Sequence, residues 1–198
     1  RWRDTWVSVE GRIVNDSVVC RVESVDTLLM SNGAKVQAVV IIPDGEQTPD
    51  PACCPPEVTD AKSLVQAAQQ CGLVGLGGAG FPTAVKLSPK NLDEIDTLVI
   101  NGAECEPYIT ADNREFLECS DTVMRGVKAV KEHLGIKKVI FGIERNKPEA
   151  IDLMFSLTKG DSAYEVKPLE SRYPQGAEKV LIEKTTGREV PRGGLPSD

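Results

Sequence analysis

Four glycines, at 75, 77, 78 and 80, crowd the stretch GLVGLGGAGFPTAVK, residues 72–86. Lacking Cβ atoms, they let backbone N–H groups approach an anion closely. Lys86 adds a point charge for a phosphate, and the Phe81 ring suits a planar base or flavin. A helix opening near Pro82 or Thr83 would add its positive end. The spacing Gly75-x-Gly77-x-x-Gly80 spells a dinucleotide fingerprint, but that fingerprint needs a strand before it and a helix at its last glycine. Here a helical composition precedes it, and Pro82 keeps Phe81 out of helical geometry. The stretch is a phosphate loop in a different chain order, or a tight connector that binds nothing. The Gly-Lys-Ser/Thr ending of an NTPase loop is absent.

A second group of residues lies in VINGAECEPYITADNRE, residues 99–115. It follows a strand-like run, so it belongs at the carboxyl edge of a sheet, where open α/β sheets bind ligands. Asn101 and Gly102 suit a tight turn. Glu104 and Glu106 flank Cys105, so an extended backbone would point both carboxylates the same way. Ribose or ribityl hydroxyls are natural partners for such a pair, and solvated surface acids are the plainer alternative. A third stretch, YPQGAEKVLIEK at 173–184, sets Gly176 at a strand-to-helix turn and Glu178 in the first helical turn. Helix capping alone would also account for it.

The elements that must carry these residues fall into two kinds. Residues 6–46 alternate β-branched residues, with Asn-Gly at 32–33 and Asp-Gly at 44–45 as turns, and predict a small all-β module over 1–46. The run EQTPDPACCPPEVTD supplies a proline-rich linker over 47–58. From 59 to 198 strands alternate with helices. The spacing predicts helices over 60–71, 112–134 (broken near Cys119-Ser120-Asp121), 147–158 and 176–187. Strands are predicted over 95–102, 137–144 and 163–171. The fold class is therefore α/β, a Rossmann-like, mostly parallel sheet with flanking helices, preceded by the small β module.

Composition narrows the function. A net charge of −7 and the lack of a basic, aromatic-laced run argue against nucleic-acid binding. No stretch approaches the roughly 18 apolar residues of a membrane span, so direct insertion is not expected. None of the six cysteines forms C-x-x-C, so no metal site is predicted; reduced thiols are expected, with the vicinal Cys53-Cys54 pair the place to watch. The single histidine, His133, sits in a last helical turn, which suits capping over catalysis. Arg1 in place of an initiator and the ending GGLPSD read as a segment of a longer protein.

GLVGLGGAGFPTAVKL, INGAECEPYITADNRE, GIERNKPEAI and YPQGAEKVLIEKTTGREVPRGGLPSD together closely resemble the C subunit of Rnf electron-transport complexes. More distantly they are similar to the flavin-bearing, NADH-binding subunit of respiratory complex I. The resemblance covers about residues 59–198, and the β stretch before it is similar to a barrel-sandwich half-module. It implies non-covalent FMN, hydride exchange with NAD(H), and iron–sulfur clusters beyond this chain. It also implies other Rnf subunits as partners and a peripheral place on the cytoplasmic face of the cell membrane. By the same resemblance Gly75, Gly77, Gly78, Gly80, Lys86, Asn101, Glu104 and Gly176 would bind FMN. Phe81, Glu106 and Glu178 would serve NADH. The flavin carries the chemistry, so no catalytic side chain is expected. Ala103 and Ala177 stand where the complex I relative has acids. A cobalamin reductase of diol-utilising microcompartments shares these motifs, and a segment with incomplete ligand sites is the third reading.

Overall fold

The computed structural model describes residues 20–30, 32–43, 54–75 and 80–198. The earliest expected strand, the Asp44-Gly45 turn, Cys53, Gly77 and Gly78 lie outside them. The chain divides into two compact units, meeting at Ser88 and Pro89.

In the first unit, β1 (Cys20–Leu29) and β2 (Lys35–Pro43) pair antiparallel, from Cys20 opposite Pro43 to Leu29 opposite Lys35. The Asn-Gly turn forms as its sequence requires. Gly33 takes a φ of 82° and donates to the Met30 carbonyl at 2.9 Å, while Asn32 Oδ1 accepts from Ala34 N–H at 3.0 Å. Helix α1 (Ala61–Gln70) opens on a reciprocal cap: Asp60 Oδ1 accepts from Ser63 N–H at 2.7 Å and Ser63 Oγ from Asp60 N–H at 2.9 Å. The Ser63 backbone amide, and after it the Ser63 hydroxyl, hold the Asp60 carboxyl below its ordinary value. Gly72 ends the helix at a φ of 64°. A single helical turn, α2 (Thr83–Lys86), follows the glycine run.

The second unit carries β3 (Thr97–Gly102), β4 (Lys138–Glu144) and β5 (Tyr164–Leu169), parallel and side by side in that order. Helices α3 (Ala111–Glu118) and α4 (Ser120–His133) cross from β3 to β4, and α5 (Pro148–Thr158) crosses from β4 to β5. The break between α3 and α4 falls at Cys119, where the sequence placed it. Strand residues alternate between the two faces of the sheet. Val139, Phe141 and Ile143 bury against Phe116, Val127, Ala150, Ile151 and Met154. Each large side chain so buried is worth about 1.5–3 kcal/mol. The other face takes α6 (Glu178–Thr186), through Leu181 against Ala103 and Leu169. Gly142 makes this approach possible: a Cβ there would meet Leu181 Cδ1 at 2.9 Å and Leu169 Cδ1 at 3.0 Å. Past α6, Arg188 forks onto both Asp96 carboxylate oxygens at 2.8 Å, which, with a Thr97 hydroxyl bond, holds the Asp96 carboxyl well below the carboxylate range. The exposed start of β4 and its buried remainder, including Glu144, agree with a central strand covered on both sides.

Candidate functional site

Two regions hold the residues singled out in the sequence, one in each unit. In the first, α1 precedes the glycine run and Pro82 caps α2, so the chain order is helix–loop–helix turn rather than strand–loop–helix. The base of the loop is zipped shut. Gly75 N–H donates to the Phe81 carbonyl at 2.8 Å and Thr83 N–H to the Leu73 carbonyl at 2.9 Å, framing a bridge between Val74 and Pro82. Gly80 lies at a φ of 60°, the left-handed region that favours glycine. Lys86 Nζ sits 5.8 Å from the centre of the half-exposed Phe81 ring, a cation–π contact. With only four residues, α2 has a far weaker dipole than a full helix would bring to the loop.

In the second region the strand ends converge. Asn101, next to last in β3, donates from Nδ2 to the Gly176 carbonyl at 3.0 Å and accepts from Ala103 N–H at 3.1 Å. Gly176 N–H lies 3.5 Å from Cys105 Sγ. A Cβ on Gly176 would sit 2.5 Å from the Ala103 carbonyl oxygen, so only glycine lets the two loops touch here. Asn101 and Gly176, far apart in sequence, are thus brought together. Glu178 opens α6 directly beyond them.

Glu104 and Glu106 part company. The backbone turns at Glu106, whose carbonyl accepts from Ile109 N–H at 3.4 Å, so the extended geometry expected of this segment stops there. Glu106 is exposed. Glu104 is buried, and its two oxygens accept from Asp112 N–H at 2.6 Å and Asn113 N–H at 3.1 Å. It therefore closes two of the amides left open at the start of α3 and complements its dipole. Asp112 feels the crowding: desolvation, then the Glu104 and Glu106 carboxylates, push its carboxyl above the ordinary value, with Lys147 opposing.

A cavity of about 450 Å³ opens just past the carboxyl ends of all three strands. Its walls are the loop 104–110 after β3, Glu144, Asn146 and Lys147 after β4, and residues 171–173 after β5. That volume falls in the range of roughly 300–1,000 Å³ typical of small-ligand sites. The lining is rich in acceptors. Asn113 Oδ1, on the cavity wall, is buried and has no partner among the described residues, so it can take an N–H or hydroxyl donor. The arrangement suits a ligand that brings hydroxyl or N–H donors. Among the described residues, no group of three or more His, Cys, Asp or Glu is placed to hold a metal ion.

Sequence reasoning passed over Glu144 and Lys147, whose ammonium lies 2.8 Å from Glu144 Oε2 and 4.0 Å from Glu104 Oε2. The signal was present: a glutamate ending the apolar run KVIFGIE, three residues before a lysine at a helix start. It also passed over Tyr173 and Asn113, which line the cavity, and the buried Gln175 beside Gly176.

Fold and cavity define an open parallel α/β domain with its candidate ligand site at the carboxyl ends of its strands. Residues 68–198 match the Nuo51 FMN-binding domain, and the chain belongs to that family. Residues 1–36 match a family of unknown function. The chain is 43% identical over 188 residues to the C subunit of the Na+-translocating ferredoxin:NAD+ oxidoreductase complex of Acetobacterium woodii, covering 93% of this chain and 42% of that protein. It is 45% identical over 167 residues to the C subunit of the proton-translocating ferredoxin:NAD+ oxidoreductase complex of Clostridium ljungdahlii, covering 83% of this chain and 36% of that protein. The C subunit of an ion-translocating oxidoreductase complex of Pseudomonas aeruginosa is 42% identical over 170 residues, 85% of this chain and 22% of its own length. The chain thus spans less than half the length of these relatives. Among solved structures, an NAD+-reducing nickel–iron hydrogenase in the H2-reduced state superposes with a TM-score of 0.54 at 25% identity, over 67% of this chain and 26% of that one.

Proposed function

We propose that this chain is the FMN- and NADH-binding module of an ion-translocating ferredoxin:NAD oxidoreductase complex. It would pass electrons between NAD(H) and iron–sulfur clusters carried outside it. The observation that carries this reading is the acceptor-rich cavity at the sheet's carboxyl edge, built by INGAECEPYITADNRE in a domain of an FMN-binding family. When bound, FMN supplies the chemistry, since it exchanges two electrons with a nicotinamide and single electrons with clusters.

The chain's own residues divide the labour. The glycine loop, through the N–H groups of Gly77, Gly78 and Gly80, receives phosphate, with Lys86 as counter-charge, while Gly75, whose own N–H is held by the Phe81 carbonyl, lets the phosphate approach without a Cβ in the way. Asn101 and Gly176 tie together the segments that would hold the flavin, and Glu104 holds the acidic loop onto α3. By the family resemblance Phe81, Glu106 and Glu178 serve the nicotinamide nucleotide, and the exposed Glu106 can accept from sugar hydroxyls. The residues from 59 to 198 form this domain, behind a β module over 1–46 and a linker over 47–58. The partners are the other subunits of the complex. No helix of the described residues is long and apolar enough to cross a membrane. We place the module peripherally, on the cytoplasmic face. The relatives are named for different coupled ions, Na+ and H+, so the likeness favours neither.

Anaerobic titration of the full protein tests the reading. FMN fluorescence should quench on binding, and NADH should then bleach the flavin absorbance. Failure to take up FMN would overturn it.

A further inference from the structure

Glu144 and Lys147 have no part in the division of labour above, yet both line the cavity and both are buried, 2% and 9% exposed. Glu144 ends β4 and Lys147 stands at the start of α5. The Lys147 ammonium lies 2.8 Å from Glu144 Oε2 and 4.0 Å from Glu104 Oε2. It also reaches Asn146 Oδ1 at 3.4 Å and the Glu104 carbonyl at 3.5 Å. One ammonium therefore serves two buried carboxylates, and the three side chains sum to one net negative charge, which the α3 amides on Glu104 offset only in part. Burying such charges is costly, and apolar side chains would hold the sheet at least as well. What the cluster provides is a fixed field in the cavity, at low dielectric, where charges act most strongly.

We propose that Glu104, Lys147 and Glu144 together hold down the reduction potential of the flavin in this cavity. The inference rests on the flavin site proposed above. Hydride transfer brings two electrons and one proton, so the nicotinamide leaves with one added positive charge and the ring gains one negative charge. A cluster with a net negative charge opposes that gain, and charge near the ring is a lever by which proteins tune flavin electronics. Glu144→Gln makes the cluster neutral, whereas Lys147→Gln leaves two negative charges.

The test is a dithionite titration of the FMN-loaded full protein against an indicator dye, with solvent supplying the proton and no NADH present. Glu144→Gln should favour reduced over oxidised FMN on the order of tenfold more than the parent does, moving the midpoint positive. Lys147→Gln should move it negative. An unchanged midpoint in Glu144→Gln that still binds FMN would overturn the inference. Should circular dichroism show that variant unfolded, Lys147→Gln decides: a negative shift supports the inference and no shift overturns it. A parent protein that binds no FMN refutes the earlier reading instead.

Discussion

The glycine loop of the first unit and the strand ends of the second are built on opposite plans. The loop is a backbone construction. Its base is held by two main-chain bonds, at Gly75 and Thr83, and among the described residues of this unit the buried apolar side chains are Ala67 and Ala68 of α1. The strand ends are a side-chain construction above a dense core, where Val139, Phe141 and Ile143 are wholly shielded from solvent. Glu104 ties its loop to α3, Asn101 ties β3 to the Gly176 loop, and Lys147 ties the start of α5 to the Glu104 loop there. A site made of amides can change its side chains and keep its shape. One made of interlocked side chains and close backbone approaches cannot.

Substitutions of glycine should separate the two plans. Gly176→Ala should have the largest effect on stability, about 2–4 kcal/mol, because its Cβ would lie 2.5 Å from the Ala103 carbonyl oxygen and backbone must move. Urea denaturation measures this, and a loss below about 1 kcal/mol would mean that the strand-end loops yield more easily than the geometry says. Gly80→Ala should cost about 1–2 kcal/mol, from its φ of 60° alone, since among the described residues nothing lies within 4 Å of a Cβ there. Gly75→Ala should change stability by less than about 0.5 kcal/mol, its nearest contacts being ordinary ones at 3.7 and 3.8 Å. It should nevertheless weaken FMN binding in the titration, and unaltered affinity would break the assignment of phosphate to this loop.

The smallest effect belongs to Asp112. Its carboxyl is raised, so the folded chain holds the proton more tightly than the unfolded one does. The charged form therefore costs stability above the folded pKa, and that cost disappears as pH falls below the unfolded value. Asp112→Asn should raise the melting temperature near about pH 7 and leave it unchanged near about pH 3. A rise of equal size at both would assign the gain to packing instead.

The same contrast explains what the sequence made legible. Periodicity and stop signals placed every α-helix and strand of the second unit to within a few residues, because each element ends at a residue with its own local reason. Gly135 and Gly187 take the left-handed conformation, and Pro148 stands at the first turn of α5. The glycine loop announced itself by composition. The parting of Glu104 from Glu106 did not, since it depends on α3 offering two open amides to one of them. The Lys147 cluster was hidden for a similar reason: its members come from the ends of β3 and β4 and the start of α5, and only the parallel register of the strands brings them together.

The zipped base of the glycine loop has an engineering consequence. The main-chain bonds from Gly75 to Phe81 and from Thr83 to Leu73 fix the distance between the two chain positions that bound the segment, and neither bond uses a side chain. The segment is thus a replaceable cassette. Anion-binding loops of other sequence or length could be grafted between Gly75 and Phe81 without redesigning the helix before it or the turn after it, so the ligand preference of the loop can be evolved separately from the stability of the domain.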